Sequence, residues 1–214
     1  MPLRITLKLA TSLDGRIAMP SGESRWITGE AARAQGHRLR ASHDAILVGV
    51  ETVLADDPEL TVRSGEEGCD VAQPLRIVLD SRLRTPPSAK AASGNTLILT
   101  ATEPHPIGNA DVVQVASADG RPTIEAVFAA LADRNITSVL IEGGGQVAAS
   151  FIRADRVDRL EWFRAPILLG AEGRPCIAGL ALAKLGNAPK FRRLSAEPLG
   201  DDLWERYERI EREA

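Results

Sequence analysis

The stretch SVLIEGGGQVAASFI, residues 138–152, decides the fold class because it reads as a strand, a tight turn and a helix in direct succession. A β-branched and apolar run ends in Glu142, three glycines follow, and small residues that suit a helix continue the chain. Gly143, Gly145 and Ala148 satisfy the G-x-G-x-x-G/A pattern of a dinucleotide-binding turn. Three interpretations follow: a displaced dinucleotide motif, a phosphate-binding turn of another fold, or a tight turn without a ligand.

The position of the turn argues against the first interpretation. In a Rossmann domain the glycine turn joins the first strand to the first helix, and an acidic residue ends the next strand roughly 20 residues later. Here the turn lies in the last third of the chain, and Asp158 comes sooner, at the start of a predicted strand. The turn still suits a phosphate ligand, because glycine N–H groups and a helix N-terminus attract a pyrophosphate. The carboxylate of Glu142 favours a polar ligand group over a phosphate at its own position.

Strands and helices alternate along the rest of the chain. The apolar patterns predict strands over Arg4–Leu9, Ala45–Gly49, Leu75–Asp80, Thr96–Thr100 and Asp111–Val115. Helices are predicted from a cap at Ser24 or Thr28 to about Ala41, between Gly49 and Pro58, and over Thr123–Arg134.

The last third of the chain returns to strands. VDRLEWFRAPILLG predicts a long strand that ends in Gly170, and the following residues predict a hairpin around Pro198–Asp201, although their charge density also suits a helix. The order of elements predicts an α/β domain with a central mixed, mostly parallel sheet and an antiparallel C-terminal edge.

Composition bounds the classes of function. A chain of 214 residues suits a single domain over 1–214, with a polar loop at about 64–73 and no interdomain linker. A net charge of -3 gives no basic footprint for nucleic acid, and no apolar run approaches the roughly 20 residues that span a membrane. Two distant cysteines and three histidines argue against a structural zinc site. The simplest interpretation is a reduced, cytoplasmic protein, with a disulfide left open.

Several polar residues near the N-terminus have ordinary structural explanations when each is taken alone. Lys8 suits an edge strand, and Trp26 could cover the core as well as form the wall of a cofactor site. Arg40 and Arg63 suit solvated surface charges. Taken together with Ser24, however, the two arginines offer the bidentate and hydrogen-bonded recognition that a phosphorylated substrate needs.

Six motifs in a fixed order identify a resemblance: KLATSLDGRIA, SGESRWITG, AILVGVETVLADDPELTVR, LRIVLDS, IEGGGQVAASFI and VDRLEWFRAPILLG. Together they resemble the reductase domain of the bifunctional riboflavin-biosynthesis deaminase/reductase, over about residues 4–210. The resemblance implies a dihydrofolate-reductase-like three-layer fold and a homodimer. It also implies NADPH-dependent reduction of the ribosyl group of a 5-amino-6-ribosylaminopyrimidine 5′-phosphate to ribityl.

The resemblance also implies roles for individual residues. Substrate contacts would come from Ser24, Arg40, Leu60, Arg63 and Glu142, with Ser24 and the two arginines at the phosphate. NADPH contacts would come from Ala10, Trp26, Thr52, Asp56, Ser81, Gly144, Gly145, Gln146, Val147, Ala148, Ala149 and Ser150, the last seven at the pyrophosphate. Lys8 and Asp56 would polarise or protonate the reacting sugar. Glu142 would mark the place where the cofactor site meets the substrate site.

The zinc-deaminase signature of this bifunctional family is missing from the chain. No His-x-Glu occurs, and Pro175-Cys176 lacks a second cysteine at the required spacing. We therefore expect no deaminase domain, no deaminase activity and no metal. The substrate stays open between the deaminated uracil and its 2,5-diamino pyrimidinone precursor.

Two other functions stay open at this point. One is a dihydrofolate-reductase-like reductase of a pterin, a folate or another pyrimidine, and the other is a nucleotide-binding module without turnover. Ser24, Arg40 and Arg63 together favour a phosphorylated substrate over a pterin.

Overall fold

A computed structural model describes residues 3–25, 27–63 and 72–210 of the chain. Trp26 and residues 64–71 of the predicted polar loop lie outside the described residues. Within these ranges the strands are β1 Arg4–Thr11, β2 Arg16–Ala18, β3 Ala45–Gly49, β4 Leu75–Leu79, β5 Thr96–Thr100, β6 Asp111–Gln114, β7 Ser117–Ala118, β8 Arg121–Pro122, β9 Ser138–Ile141, β10 Arg159–Arg164, β11 Arg174–Pro175, β12 Phe191–Leu199 and β13 Asp202–Arg209. The α-helices are α1 Glu30–Ala41, α2 Val50–Asp56, α3 Ile124–Ala132 and α4 Gly145–Arg153.

The chain divides into two compact units made of interleaved segments. The first unit comprises Met1–Arg4 and His37–Gly143, and the second comprises Ile5–Gly36 and Gly144–Ala214. The expectation of one reductase domain over 1–214 stays a prediction.

The first unit contains a parallel sheet in the strand order β9-β3-β4-β5-β6. Every residue of β3 and of β5 is buried. Continuous burial of this kind is typical of parallel strands that are covered on both faces. The predicted mostly parallel sheet is therefore confirmed, and β3 and β5 begin and end at the predicted residues.

Three predicted elements of this unit are too long, one of which is the strand predicted over Asp111–Val115, which ends at Gln114. The strand predicted to end at Asp80 stops at Leu79, because the buried Asp80 carboxylate accepts hydrogen bonds from the Thr85 N–H and hydroxyl, both at 2.7 Å, and closes a turn. The helix predicted from Thr123 begins at Ile124, since the Thr123 hydroxyl caps it by accepting the Ala126 N–H at 3.2 Å.

In the second unit, four of the strands pair in the order β12-β13-β10-β1, and β2 and β11 pair with each other. β1 and β10 are parallel, whereas the β10–β13 and β13–β12 pairs are antiparallel. A two-residue turn joins β12 to β13, and Gly200 within it has a φ of +65°. The predicted terminal hairpin and antiparallel C-terminal edge are confirmed, and the helical alternative is wrong.

The long strand predicted to end in Gly170 is wrong beyond Arg164, where β10 ends. Pro166 has no N–H to donate to a sheet. Downstream, the Asp14 carboxylate accepts hydrogen bonds from the N–H groups of Leu169 and Gly170 at 3.1 and 2.8 Å. This side chain draws the segment into a loop instead of a strand.

Cys176 is the cysteine that the structure describes, and it is buried and not in a disulfide. Burial raises the pKa of its thiol above the ordinary value. The Cys176 thiol is therefore a poor nucleophile near neutral pH. Cys69 lies outside the described residues.

No helix within residues 3–25, 27–63 and 72–210 is long and apolar enough to cross a membrane.

Candidate functional site

Three of the predicted site residues follow the carboxyl ends of neighbouring parallel strands in the first unit. Thr52 lies in the first turn of α2, directly after β3, whereas Ser81 follows β4 and Glu142 follows β9. Because β9, β3 and β4 are adjacent and parallel, these residues lie at one edge of the sheet. Open α/β sheets bind their ligands at this edge.

Glu142 and Arg40 form a bidentate ion pair. The Arg40 Nε donates to Oε1 at 2.5 Å and Nη2 donates to Oε2 at 2.9 Å. The two side chains are only 18% and 7% exposed, respectively. Burial lowers the pKa of the Arg40 guanidinium, but the attraction and hydrogen bonds of Glu142 outweigh burial and place the pKa above its ordinary value. The pair therefore fixes the plane of a permanently charged guanidinium.

Arg40 also contacts the main chain of the loop that follows α2. Its Nη1 donates to the Thr61 carbonyl at 2.9 Å. Glu142 and Thr61 each leave a second N–H on the terminal nitrogen that they contact. An anion can therefore bind Arg40 while Glu142 holds it, and the phosphate role of Arg40 stays a prediction.

Arg63 follows the part of the loop that Arg40 contacts, and its side chain is exposed. Its guanidinium pairs with Glu59 at 2.8 Å, and its main-chain N–H donates to His37 Nδ1 at 3.3 Å. We call Arg40, Glu142, Arg63, Glu59 and His37 the charge cluster. Burial lowers the pKa of His37, and repulsion from Arg40 and Arg63 lowers it further. The neutral imidazole therefore keeps an acceptor nitrogen for the loop near neutral pH.

Leu60, another predicted substrate contact, belongs to the hydrophobic core of the first unit. Its side chain is packed in a buried cluster with Val50 and Val53, and the residue is only 2% exposed. Its φ of +52° is left-handed. The Leu60 main chain, and not its side chain, is therefore the part that a ligand could contact.

Three glycines form the turn after β9 for three separate reasons. A Cβ on Gly143 would lie 2.9 Å from the Thr52 hydroxyl oxygen, and a Cβ on Gly145 would lie 2.7 Å from the Pro175 carbonyl oxygen. Gly144 has a φ of +85°. The turn therefore combines two close approaches with one left-handed residue, and each requirement excludes larger side chains.

The N-terminus of α4 suits the pyrophosphate of a dinucleotide. Gly144 is its N-cap residue, and no side chain of the described residues caps the helix. Because the first N–H groups of a helix have no partners within the helix, they can bind an anion that a glycine turn lets approach. The residues present therefore fit the group that the resemblance implies.

The later residues of the predicted pyrophosphate segment have less to offer a ligand. The side chains of Ala148 and Ala149 are buried, and the Ser150 hydroxyl donates to the Gln146 carbonyl at 2.9 Å. The first turn, from Gly144 to Val147, is therefore the part of this segment best suited to the anion, and the assignment of the remaining residues stays a prediction.

In the second unit, Lys8 lies near an aromatic ring and is paired in register with an acidic residue of the neighbouring strand. Its neighbour in register on β10 is Glu161, and its ammonium nitrogen lies 5.7 Å from the centre of the Phe163 ring. Phe163 stacks on Trp204 with ring centres 5.8 Å apart, and the Trp204 indole donates to Glu161 at 2.7 Å. The sequence predicted none of these partners of Lys8.

The remaining predicted residues are distributed over both units. Ala10 is the register partner of Phe163 on β10, and Ser24 is half-buried in the second unit. Asp56 is the exposed last residue of α2 in the first unit, while Trp26 lies outside the described residues. The roles predicted for these four residues stay predictions.

The buried carboxyl of Glu161 should make the stability of the protein depend on pH. Burial raises the pKa of its carboxyl above the ordinary value of 4.5, although the Trp204 hydrogen bond and the charges of Arg206 and Arg159 act against burial. Its contribution to stability is therefore complete below its ordinary pKa and is lost as pH rises through the folded-state value. We expect Glu161→Gln, which stays neutral and can still accept the Trp204 N–H, to gain stability relative to the wild type as pH rises.

Urea unfolding of both proteins between about pH 4 and pH 8 measures this effect, because that range runs from the ordinary pKa of the carboxyl upward, the direction in which the folded-state pKa is shifted. A stability difference that stays constant across the range would contradict the prediction.

The model of the RibD C-terminal domain family matches residues 4–204. The chain belongs to this family. RibD, a riboflavin biosynthesis protein of Mycobacterium tuberculosis strain H37Rv, is 39% identical over 201 residues, which cover 93% of this chain and 52% of the relative. The chain thus spans about half the length of the curated relatives that it matches.

Solved structures resemble this chain along almost its whole length. Acinetobacter baumannii RibD, form 1, is 31% identical with a TM-score of 0.85, over 98% of this chain and 59% of the other. A Thermotoga maritima protein described as a diaminohydroxyphosphoribosylaminopyrimidine deaminase/5-amino-6-(5-phosphoribosylamino)uracil reductase is 28% identical with a TM-score of 0.83, over 98% and 57% of the two chains.

The chain shares its fold with dihydrofolate reductase. The Enterococcus faecalis enzyme has a TM-score of 0.57 at 15% identity, over 97% of each chain. An identity this low shows the fold alone. The predicted dihydrofolate-reductase-like fold is confirmed.

Proposed function

We propose that the chain is an NADPH-dependent reductase of riboflavin biosynthesis. Its substrate is 5-amino-6-(5-phosphoribosylamino)uracil or the 2,5-diamino pyrimidinone precursor, and it reduces the ribosyl group to give the ribitylamino product. The observation that carries this proposal is the match of the RibD C-terminal domain family to residues 4–204. The T. maritima relative, whose description includes this reductase activity, supports the reaction type.

The charge cluster of the first unit supports a phosphorylated substrate. Arg40, oriented by Glu142, and the exposed Arg63 supply two guanidinium groups, which recognise phosphate oxygens better than any other side chain. Ser24 would add a hydrogen bond to the same phosphate. Binding energy at the phosphate, remote from the reacting carbon, can be used to orient the sugar.

The N-terminus of α4 would hold the pyrophosphate of NADPH through main-chain N–H groups. Thr52 and Ser81, at the carboxyl edge of the parallel sheet, would contact other parts of the cofactor. When bound, NADPH supplies a hydride from C4 of its nicotinamide ring. The chain itself contributes the binding and orientation of the two reactants.

The reaction needs a proton as well as the hydride. Opening of the ribose ring forms an imine at C1′, the hydride adds to C1′, and a proton completes the amine. Lys8 and Asp56 are the proposed sources of polarisation or protonation. For Lys8, the Phe163 ring, whose centre is 5.7 Å from the ammonium nitrogen, provides a surface that favours the charged form.

Turnover assays test the proposed function. NADPH oxidation should accompany reduction of one of the two aminoribosyl pyrimidine phosphates, be slower with NADH, and fail with dihydrofolate. Turnover of dihydrofolate alone would replace the proposal with a folate reductase. NADPH binding without turnover of any of these compounds would favour a nucleotide-binding module.

Arg63→Ala should raise the KM for the phosphorylated pyrimidine roughly tenfold to a hundredfold, because a hydrogen-bonded charge at the phosphate is lost. The KM for NADPH should change little. Steady-state kinetics with each ligand varied in turn measure both values, and equal losses for the two ligands would contradict the phosphate assignment.

We also propose a homodimer, on the basis of the family resemblance. Sedimentation equilibrium of the purified chain tests it, and a mass of one chain at all concentrations would exclude it.

A further inference from the structure

The loop Asp57–Arg63 carries two of the proposed substrate contacts but contains no helix or strand. Asp57 and Leu60 within it have left-handed φ values of 40° and 52°. Residues other than glycine adopt such values only when surrounding contacts stabilise them. The conformation of the loop therefore depends on side chains that other segments supply.

Gln73 contacts both main-chain groups of Val62 in this loop. The Val62 N–H donates to the Gln73 Oε1 at 2.8 Å, and the Gln73 Nε2 donates to the Val62 carbonyl at 3.1 Å. The Gln73 amide thus satisfies both the N–H and the carbonyl of Val62, as a paired residue on a neighbouring strand does in a sheet. It fixes the residue immediately before Arg63.

Two side chains of α1 hold the adjoining residues of the same loop. Arg40 donates to the Thr61 carbonyl, and His37 accepts the Arg63 N–H. Three consecutive loop residues are thus each held by a side chain from another segment. Gln73 differs from the α1 residues because it makes two hydrogen bonds to a single loop residue.

We propose that Gln73 is a positioning residue of the reductase, which sets the direction of Arg63 toward the 5′-phosphate of the substrate. The inference rests on the proposed function. Gln73 is exposed and Val62 is buried, so loss of the Gln73 amide removes both of its hydrogen bonds to the Val62 main chain, and its main consequence is a loss of order in the loop. Its effect on catalysis should therefore depend on Arg63 and on the substrate phosphate.

Gln73→Leu tests this dependence, because leucine keeps most of the side-chain volume but cannot make either hydrogen bond. We expect the KM for the phosphorylated pyrimidine to rise about five- to tenfold, as for the loss of one or two neutral hydrogen bonds. The kcat and the KM for NADPH should change by less than about twofold. The corresponding pyrimidine without the phosphate should show the same KM with both proteins.

A double-mutant cycle with Arg63→Ala separates positioning from general loosening of the fold. In the Arg63→Ala background, Gln73→Leu should add less than about a twofold change. Equal effects of Gln73→Leu in both backgrounds, or an equal loss for NADPH, would overturn the proposal. Gln114→Leu is a matched control, since Gln114 is another exposed glutamine, whose amide lies 3.5 Å from the Ala101 carbonyl.

Binding of ribose 5-phosphate, measured by calorimetry against ribose, distinguishes failure of this inference from failure of the proposed function. If the chain shows no turnover but binds ribose 5-phosphate through its phosphate, and this binding weakens in Gln73→Leu, the proposed function is wrong and the role of Gln73 in phosphate binding is supported. If the wild type turns over and Gln73→Leu has unchanged kinetics and binding, only the inference about Gln73 is wrong. If there is neither turnover nor phosphate-dependent binding, both the proposed function and the inference about Gln73 are wrong.

Discussion

Replacing Glu142 with alanine should lower the free energy of unfolding by about 3 kcal/mol, since removal of one partner leaves a buried charge without its counter-charge. The Arg40 guanidinium that stays behind is 18% exposed and has Glu142 as its bidentate partner. Arg40 would also lose its fixed orientation. We therefore expect the KM for the phosphorylated pyrimidine to rise at least about tenfold. Urea unfolding and steady-state kinetics measure the two effects.

Glu59→Ala is the matched control for this variant. Glu59 also pairs with an arginine of the cluster, but both members of its ion pair with Arg63 are well exposed, at 43% and 68%. Exposed ion pairs contribute little to stability because water screens them. Equal destabilisation by Glu142→Ala and Glu59→Ala would show that the buried pair does not hold Arg40 in place.

Gly145→Ala should weaken NADPH binding at least about tenfold, because displacing the first turn of α4 misaligns the N–H groups that face the pyrophosphate. An alanine Cβ would lie 2.7 Å from the Pro175 carbonyl oxygen, which is main chain and cannot move aside as a flexible side chain would. Overpacking of this kind should also cost about 1–3 kcal/mol of stability. Fluorescence titration with NADPH and thermal unfolding measure the two effects.

Gly36→Ala is the control for the change from glycine to alanine within a helix. A Cβ at Gly36, inside α1, would meet no atom of the described residues within 4 Å. Alanine is favoured over glycine in a helix by about 1 kcal/mol, so this variant should be as stable as the wild type or more stable. Unchanged NADPH affinity in Gly145→Ala would remove the α4 N-terminus from the proposed cofactor site.

The sequence predicted the parallel strands well, because burial on both faces leaves a continuous apolar run in the chain. β3 and β5 are such runs, and their ends agree with the prediction. The segment after Arg164 is equally apolar, yet it is a loop. The deciding contact is that of the Asp14 carboxylate with the N–H groups of Leu169 and Gly170, which lie more than 150 residues away in the chain. The apolar pattern of the sequence does not predict this contact.

Some features of the proposed site could likewise be predicted from the sequence pattern, and others could not. The glycine turn was visible because close approach and left-handed backbone select glycine. The partner of Arg40 was not visible, since Glu142 lies 102 positions away and Arg40 alone suits a solvated surface. The contact between Gln73 and Val62 has no local signal either. His37, one helical turn before Arg40, is the residue that spacing along α1 could have indicated.

Transfer of deuterium from NADPH labelled at C4 of the nicotinamide tests the central claim most directly. Mass spectrometry of the product formed from the aminoribosyl pyrimidine phosphate should show one deuterium at C1′ of a ribitylamino group, with label on one face of the nicotinamide transferred and label on the other retained. A product without deuterium, or no ribitylamino product from either pyrimidine phosphate, would contradict the account.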